Sequence, residues 1–424
     1  MFETPAPHIF ALPPGVDFPI ELVAGLKEQL AGKPPEAIGR VTIYLNTARM
    51  RRCVEEAFRA QGAGFLPKLL LVSDLAGDPR LLLPPATSAL RRRLELTTLI
   101  AALLDQQPDI APRAALYDLA DSLAVLMDEM QGEGVSPEAV ARLDVSNHSQ
   151  HWARTQAFLR ILAPIFANSA DKEALQRRAV LRLSAIWQAS PPTDPVLIAG
   201  STGSRGTTAL FMQAVARLPQ GALVLPGFDF NTPDAVWNAM DDSLTAEDHP
   251  QFRFRRLMDL IGFDRRVVLP WREVAPPDPD RNKLISLSLR PAPVTDQWLV
   301  EEPTLPDLIE ATKGLSLVEA PSPRIEALSI ALMLREAAES GTKAALITPD
   351  RNLTRQVAAA LDRWAITPDD SAGKPLAHSA PGRFLRQVAG LLGAKLTADQ
   401  LLGLLKHPLT ASGADRGTHL RMTR

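Results

Sequence analysis

The sequence predicts an α/β protein: a parallel sheet flanked by helices, with an all-helical subdomain inserted in it and the start of a second α/β domain after it. Three observations carry the prediction. Short aliphatic runs bounded by turn residues alternate with segments whose apolar residues recur every three or four positions, the signature of strands alternating with amphipathic helices. Between residues 86 and 170 the strand pattern disappears and only helical spacing is left. After a proline-rich stretch, VAPPDPDRNK at 274 to 283, the alternation starts afresh. The expected division is residues 1–85 and 171–285 as two parts of one α/β domain, 86–170 as the insertion, and 286–424 as a linker plus an incomplete second domain.

In order, residues 9 to 14 and 41 to 45 read as buried strands, with an amphipathic helix over 19 to 31 between them, and LPKLLLVSDL at 66 to 75 reads as a third strand. The insertion contains ALRRRLELTTLIAALL, AALYDLADSLAVLMDEM and SQHWARTQAFLRILAPIF, each with three- and four-residue apolar spacing. The first domain then resumes with EALQRRAVLRLSAIWQAS as helix, PVLIAG as strand, TALFMQAVARLP as helix and GALVLPG as strand. In the second domain LSLVEA (315 to 320) and KAALITP read as strands, and PRIEALSIALMLREAAES and NLTRQVAAALDRWAI as helices. The sequence ends on THLRMTR, a helical-looking run with no stop signal, which sets the expectation of a longer polypeptide.

With 424 residues, 46% hydrophobic and 22% charged, the chain has the composition of a globular protein of two to four domains. No apolar run is long enough for a membrane span, and the N-terminus lacks the basic start of a signal peptide, so the cytoplasm is the expected compartment. The single cysteine, Cys53, excludes an internal disulfide framework and any multi-cysteine metal site. A net charge of −2 conceals an asymmetry: residues 40 to 93 hold ten Arg/Lys against four Asp/Glu, and residues 101 to 150 hold two against nine. Such separation marks either a nucleic-acid or partner surface or a solvated face.

The most informative stretch is VTIYLNTARMRR at 41 to 52, a β-branched strand running into a polar turn and a basic helix start. A phosphate-cradling P-loop at such a place needs glycines, a lysine and a Ser/Thr for Mg²⁺. Asn46, Thr47, Ala48, Arg49 and Met50 bring neither glycine nor lysine. The second glycine-rich turn, GSTGSRGTT at 200 to 208, also fails as a P-loop, because its spacing is one residue too long and Thr207 stands where lysine belongs. Gly200, Gly203 and Gly206 do resemble a dinucleotide fingerprint, with Asp229 near the ribose-reading position, so an NAD(P)-type enzyme is the competing reading. The Tyr-x-x-x-Lys of short-chain reductases is absent. His148 and His151 share a helical spacing without a third ligand, Asp241-Asp242 and Asp369-Asp370 are adjacent rather than facing, and no Asp/Glu-x-Lys nuclease pattern occurs.

Taken in order, strand–NTARMRR, the helical insertion, DPVLIAGSTGS…LPQGALVLPGFD, the HPQ at 249 to 251, and VEAPSPRIEALSIALMLREA…KAALITPDRNLTRQVAAALDRWAI with DDSAGKPL make the chain resemble the AddB family. These are the non-motor subunits of AddAB double-strand-break repair helicase–nucleases, here of the alphaproteobacterial type. The resemblance implies a UvrD-like helicase fold, an AddA-type motor partner and contact with the 3′-terminated single strand of DNA. It also implies a C-terminal nuclease domain with a four-cysteine iron–sulfur cluster outside this sequence, and no cofactor or metal within it. NTARMRR then stands at the Walker A position, and Ala199, Gly200 and Ser201 stand in place of the Walker B acids. Without those carboxylates Mg²⁺ has no ligand and water no base. The expected nucleic-acid contacts are Thr47, Arg49, Arg51 and Arg52 on one loop and Ser201, Thr202, Ser204 and Arg205 on the other, both after strands, where open α/β sheets bind ligands. No catalytic residue is expected in this chain.

Overall fold

Among the described residues, six short strands, all parallel, form one sheet: β1 (Ile9–Leu12), β2 (Thr42–Leu45), β3 (Lys68–Leu71), β4 (Val196–Ala199), β5 (Gly221–Pro226) and β6 (Val268–Pro270), in the spatial order β3-β2-β4-β5-β1-β6. The computed structural model describes residues 1–108, 111–142, 171–305, 307–373, 375–393, 395–413 and 415–423. They divide into two units, Met1–Lys313, which holds the sheet, and Gly314–Arg424. The third helix expected in the insertion, with His148 and His151, lies outside the described residues.

Helices in the first unit include α1 (Phe18–Gln29), α2 (Ala48–Ala60), α3 (Ala89–Gln106), α4 (Leu116–Glu133), α5 (Pro137–Ala141), α6 (Lys172–Ala189), α7 (Gly206–Ala216), α8 (Phe252–Ile261) and α9 (Pro279–Ser288), besides other short helices and turns. The period of two sorts the strand residues onto two faces. Ile43, Leu45, Leu197, Ala199, Ala222 and Val224 pack against α1 and α2, and Tyr44, Val196, Ile198, Leu223 and Leu225 against α6, α7 and α8. Strands buried on both faces explain the continuous aliphatic runs in the sequence. The approach of α1 to its neighbour is set at Gly25, where a Cβ would lie 2.2 Å from the Trp271 indole nitrogen, which donates to the Leu22 carbonyl at 3.1 Å.

The strand pairing expected across the insertion is present. Thr42 to Leu45 pair in register with Val196 to Ala199, so VTIYL and PVLIAG are neighbours in one sheet although some 150 residues separate them. Strands β1 and β2 lie in the same sheet as expected, but β4 and β5 come between them. The inserted α3 and α4 have a core of their own, Leu96, Ile100 and Leu104 against Ala120, Leu123 and Met127. Arg92 fastens this pair: its guanidinium lies 2.7 Å from Asp128 and 3.2 Å from Asp171, and it donates to the Ala124 carbonyl at 2.9 Å. Arg93 pairs with Asp121 at 2.8 Å. Part of the charge asymmetry read from the sequence is therefore neutralised inside the insertion, basic α3 against acidic α4.

The second unit contains α10 (Pro323–Glu339), α11 (Arg351–Leu361), α12 (Ala380–Ala389) and α13 (Ala398–Leu405). The first two pack through Ala327, Ala331, Val357 and Leu361. The two strands expected beside them, at 315 to 320 and 343 to 349, form no ladder. Leu346 rests against the helix pair, but Leu317 and Ile347 are 88% and 93% exposed. A parallel pair needs cover on both faces, and this helix pair supplies one. The linker expected from residue 286 belongs with the first unit, which ends at Lys313.

Candidate nucleic-acid interface

In a doubly wound sheet, ligands bind at the carboxyl ends of adjacent strands whose chains leave in opposite directions. The strand order gives two such places. From β2 the chain turns toward β3, on the α1/α2 face, whereas from the adjacent β4 it turns toward β5, on the other face. The same reversal separates β1 from β5.

At the first place, the pairing of Leu45 with Ala199 sets the two sequence-predicted loops side by side. Thr47 is the N-cap of α2, and its hydroxyl accepts from the Met50 amide at 3.1 Å. Arg49 and Arg52 are exposed on the first turns of α2, and Arg51 is half-buried, 3.9 Å from Glu55. On the facing loop Ser201 is buried and its hydroxyl accepts from the Gly203 amide at 3.2 Å, Thr202 is half-buried, and Ser204 and Arg205 are exposed just before α7. The predicted residues thus divide: Arg49, Arg52, Ser204 and Arg205 face solvent on neighbouring strand ends, whereas Thr47 and Ser201 shape their own turns.

The floor between these loops is apolar. Gly200 has φ +74°, a conformation other residues rarely adopt, and a Cβ there would lie 3.3 Å from the Phe18 ring and 3.5 Å from the Met50 methyl. Helix starts along this edge are capped from within the chain. Asp17 accepts from the Ile20 amide at the start of α1, Thr47 caps α2, and Glu133, at the end of α4, accepts from the Gly206 amide at the start of α7 at 2.8 Å. The Thr207 hydroxyl donates to the Gly132 carbonyl at 2.8 Å, so the insertion rests directly on the glycine-rich turn. A carboxylate at a helix N-terminus satisfies the amides and the dipole that would otherwise attract a phosphate. Sequence reasoning reached neither Glu133 nor the Phe18 and Met50 floor. Asp17-Phe18-Pro19 did carry a signal, an N-cap acid two positions before a helix-start proline.

The second place, at β1 and β5, is closed by a polar network. Asn282 on α9 donates to the Pro14 carbonyl at 2.8 Å, and Ser286 donates to the Asp229 carboxylate at 2.7 Å. The buried Arg290 is bidentate to Glu301, at 3.0 and 2.9 Å, and donates to the Ser286 carbonyl at 2.9 Å. The HPQ of the sequence ties this network together, for Gln251 accepts from the Asp229 amide and donates to the Gly227 carbonyl, and its own amide donates to His249 Nδ1 at 3.1 Å. Burial, and secondarily the charge of Arg290, hold His249 below its ordinary value of 6.5.

Among the described residues no group of three or more His, Cys, Asp and Glu is placed to hold a metal ion, and no helix is long and apolar enough to cross a membrane. Asp242 caps a short helical turn through the Leu244 amide at 2.9 Å, and Asp370 lies 3.1 Å from Arg351. Comparison with protein-family models and with curated proteins found no match.

Proposed function

We propose that this chain is a catalytically silent, helicase-like scaffold of a DNA double-strand-break repair helicase–nuclease, of the AddB type, that binds single-stranded DNA and an AddA-type motor subunit. The observation that carries the reading is the state of the sheet's carboxyl edge, where α1, α2 and α7 start on Asp17, Thr47 and Glu133 and the floor is Phe18 and Met50. Such an edge supports the reading of a motor-like α/β domain that has given up binding a triphosphate and its Mg²⁺. What it does offer is exposed cationic and polar groups on adjacent loops, Arg49, Arg52, Ser204 and Arg205, which suit the sugar-phosphate backbone of a single strand. The NAD(P)-type alternative is disfavoured by two contacts: Glu133 holds the helix end a pyrophosphate would need, and Ser286 engages the Asp229 carboxylate that would read the ribose.

Two measurements test the reading. Titration calorimetry with ATP and Mg²⁺ is expected to give no binding, and micromolar, magnesium-dependent binding would overturn it. Single-strand affinity, measured by anisotropy against salt, is expected to lose about 0.7 of slope for each phosphate contact removed in Arg49→Ala/Arg51→Ala/Arg52→Ala. An unchanged slope in that folded variant would place the DNA path elsewhere.

A further inference from the structure

A groove of about 350 Å³ opens at the other end of β2 and β3, where the chain enters these strands. Its apolar wall is Ile38, Phe58, Phe65 and Leu66, and its rim carries Lys27 and Lys33. Phe65 and Leu66 are 60% and 48% exposed, large apolar side chains left in water in the loop before β3. Among the described residues no carboxylate lines the groove. The nearby Glu28 is turned to Arg272, at 2.8 Å, whereas neither Lys27 nor Lys33 has an ion-pair partner among the described residues. The amides of residues 63 to 66 donate to no backbone carbonyl among the described residues, which leaves a short run of donors beside the apolar wall.

We infer that this groove is a docking site for a short acidic segment of a partner protein, with one or two large apolar side chains seated on Phe65 and Leu66 and its carboxylates on Lys27 and Lys33. The occupant follows from the chemistry of the walls. Two unpaired cations and no anion select negative charge, and the exposed apolar wall selects large hydrophobic anchors. The free amides of residues 63 to 66 suit the carbonyls of an extended backbone. A nucleic acid fits less well, because it needs a track of cations along successive phosphates and open ring faces for its bases. The Phe65 ring is open, but the rim ends at two lysines, too few for such a track. The volume, at the low end of the range for ligand pockets, fits a few side chains and not a cofactor.

The test is fluorescence polarisation with the full 424-residue chain and a labelled octapeptide, Ser-Asp-Asp-Glu-Asp-Leu-Phe-Gly, beside its Asn/Gln counterpart. Saturable micromolar binding of the acidic peptide alone is expected. Lys27→Glu/Lys33→Glu should weaken it about tenfold, two exposed ion pairs turned into repulsions. Phe65→Ser, a change at an exposed side chain that leaves the fold intact, should weaken it without altering its salt dependence. Equal binding of both peptides, equal affinity in both variants, or no saturable binding would overturn the assignment. So would oligothymidine that displaces the peptide with the same dependence on the two lysines, since the groove would then be a nucleic-acid surface.

Discussion

Replacing Arg92 with methionine is expected to loosen the helical insertion from the sheet it interrupts. The guanidinium lies between Asp128, at 2.7 Å, and Asp171, at 3.2 Å, and the Arg92 and Asp171 side chains are 12% and 4% exposed. Methionine keeps most of the stem's packing and removes the charge. The contact with Asp128, whose side chain is 41% exposed, counts for under about 1 kcal/mol because water screens it. Asp171 is different, since it loses a cation while held out of water and keeps the Gln131 amide, at 3.4 Å, which carries no charge to replace it. Breaking a buried pair from one side costs about 3–5 kcal/mol, and the lower value applies here because Arg92 is not fully enclosed. For a unit of this size about 3 kcal/mol corresponds to a fall in Tm of about 5 °C. Calorimetric melting of wild type, Arg92→Met, Asp171→Asn and the double variant checks it. The double variant should recover about 1–2 kcal/mol relative to the sum of the single changes. A single variant within about 1 kcal/mol of wild type, or no coupling in the cycle, would refute the argument that a buried ion pair pins the insertion.

Three further outcomes are expected. Gly25→Ala should lower Tm, by about 1–3 kcal/mol of overpacking against the Trp271 indole, despite alanine's better helix propensity; a rise in Tm would show that the indole moves aside. Glu133→Ala should cost about 0.5–2 kcal/mol as a lost cap and speed hydrogen exchange at the Gly206 amide, with ATP binding still absent because no metal ligands are restored. His249 is held below 6.5, so the unfolded chain takes up its proton first as pH falls: the stabilisation is complete above about 6.5 and declines as pH drops through the folded value. A His249→Gln variant should show a flatter stability profile in that window, and an unaltered profile by denaturant titration would remove His249 as the cause.

Much of the first unit could be read from the residues because parallel strands buried on both faces are nearly continuous in aliphatic side chains, as in VTIYL and PVLIAG. The insertion was legible for the complementary reason, a run of helical periodicity bounded by strands that had to find each other. Spatial order was not, since nothing in the residues of β1 states that it lies beside β5 and β6 and not beside β2. At the site, the missing glycines and lysine were plain, but what occupies the space depends on contacts between residues far apart in sequence, Glu133 with Gly206 and Phe18 with Gly200. The strands expected in the second unit failed for a physical reason: aliphatic composition makes a segment able to pair, but a sheet forms only when another strand and a second covering layer are at hand.

The place of β1 in the sheet also sets the order in which the chain is able to assemble. Ile9 pairs with Leu223 on one side and Val268 on the other, so β1, once it leaves the ribosome, waits for more than two hundred further residues before either neighbour exists. At a synthesis rate of about 5–20 residues per second that is a wait of roughly 10–40 s. For that time Ile9, Ala11 and Leu12, which end among the most deeply buried residues of the molecule, stand in water or in the grip of a chaperone. The insertion needs no such delay, because α3 and α4 touch each other and bury a core of their own, so this interruption in the sheet is able to fold well before β1 finds a neighbour.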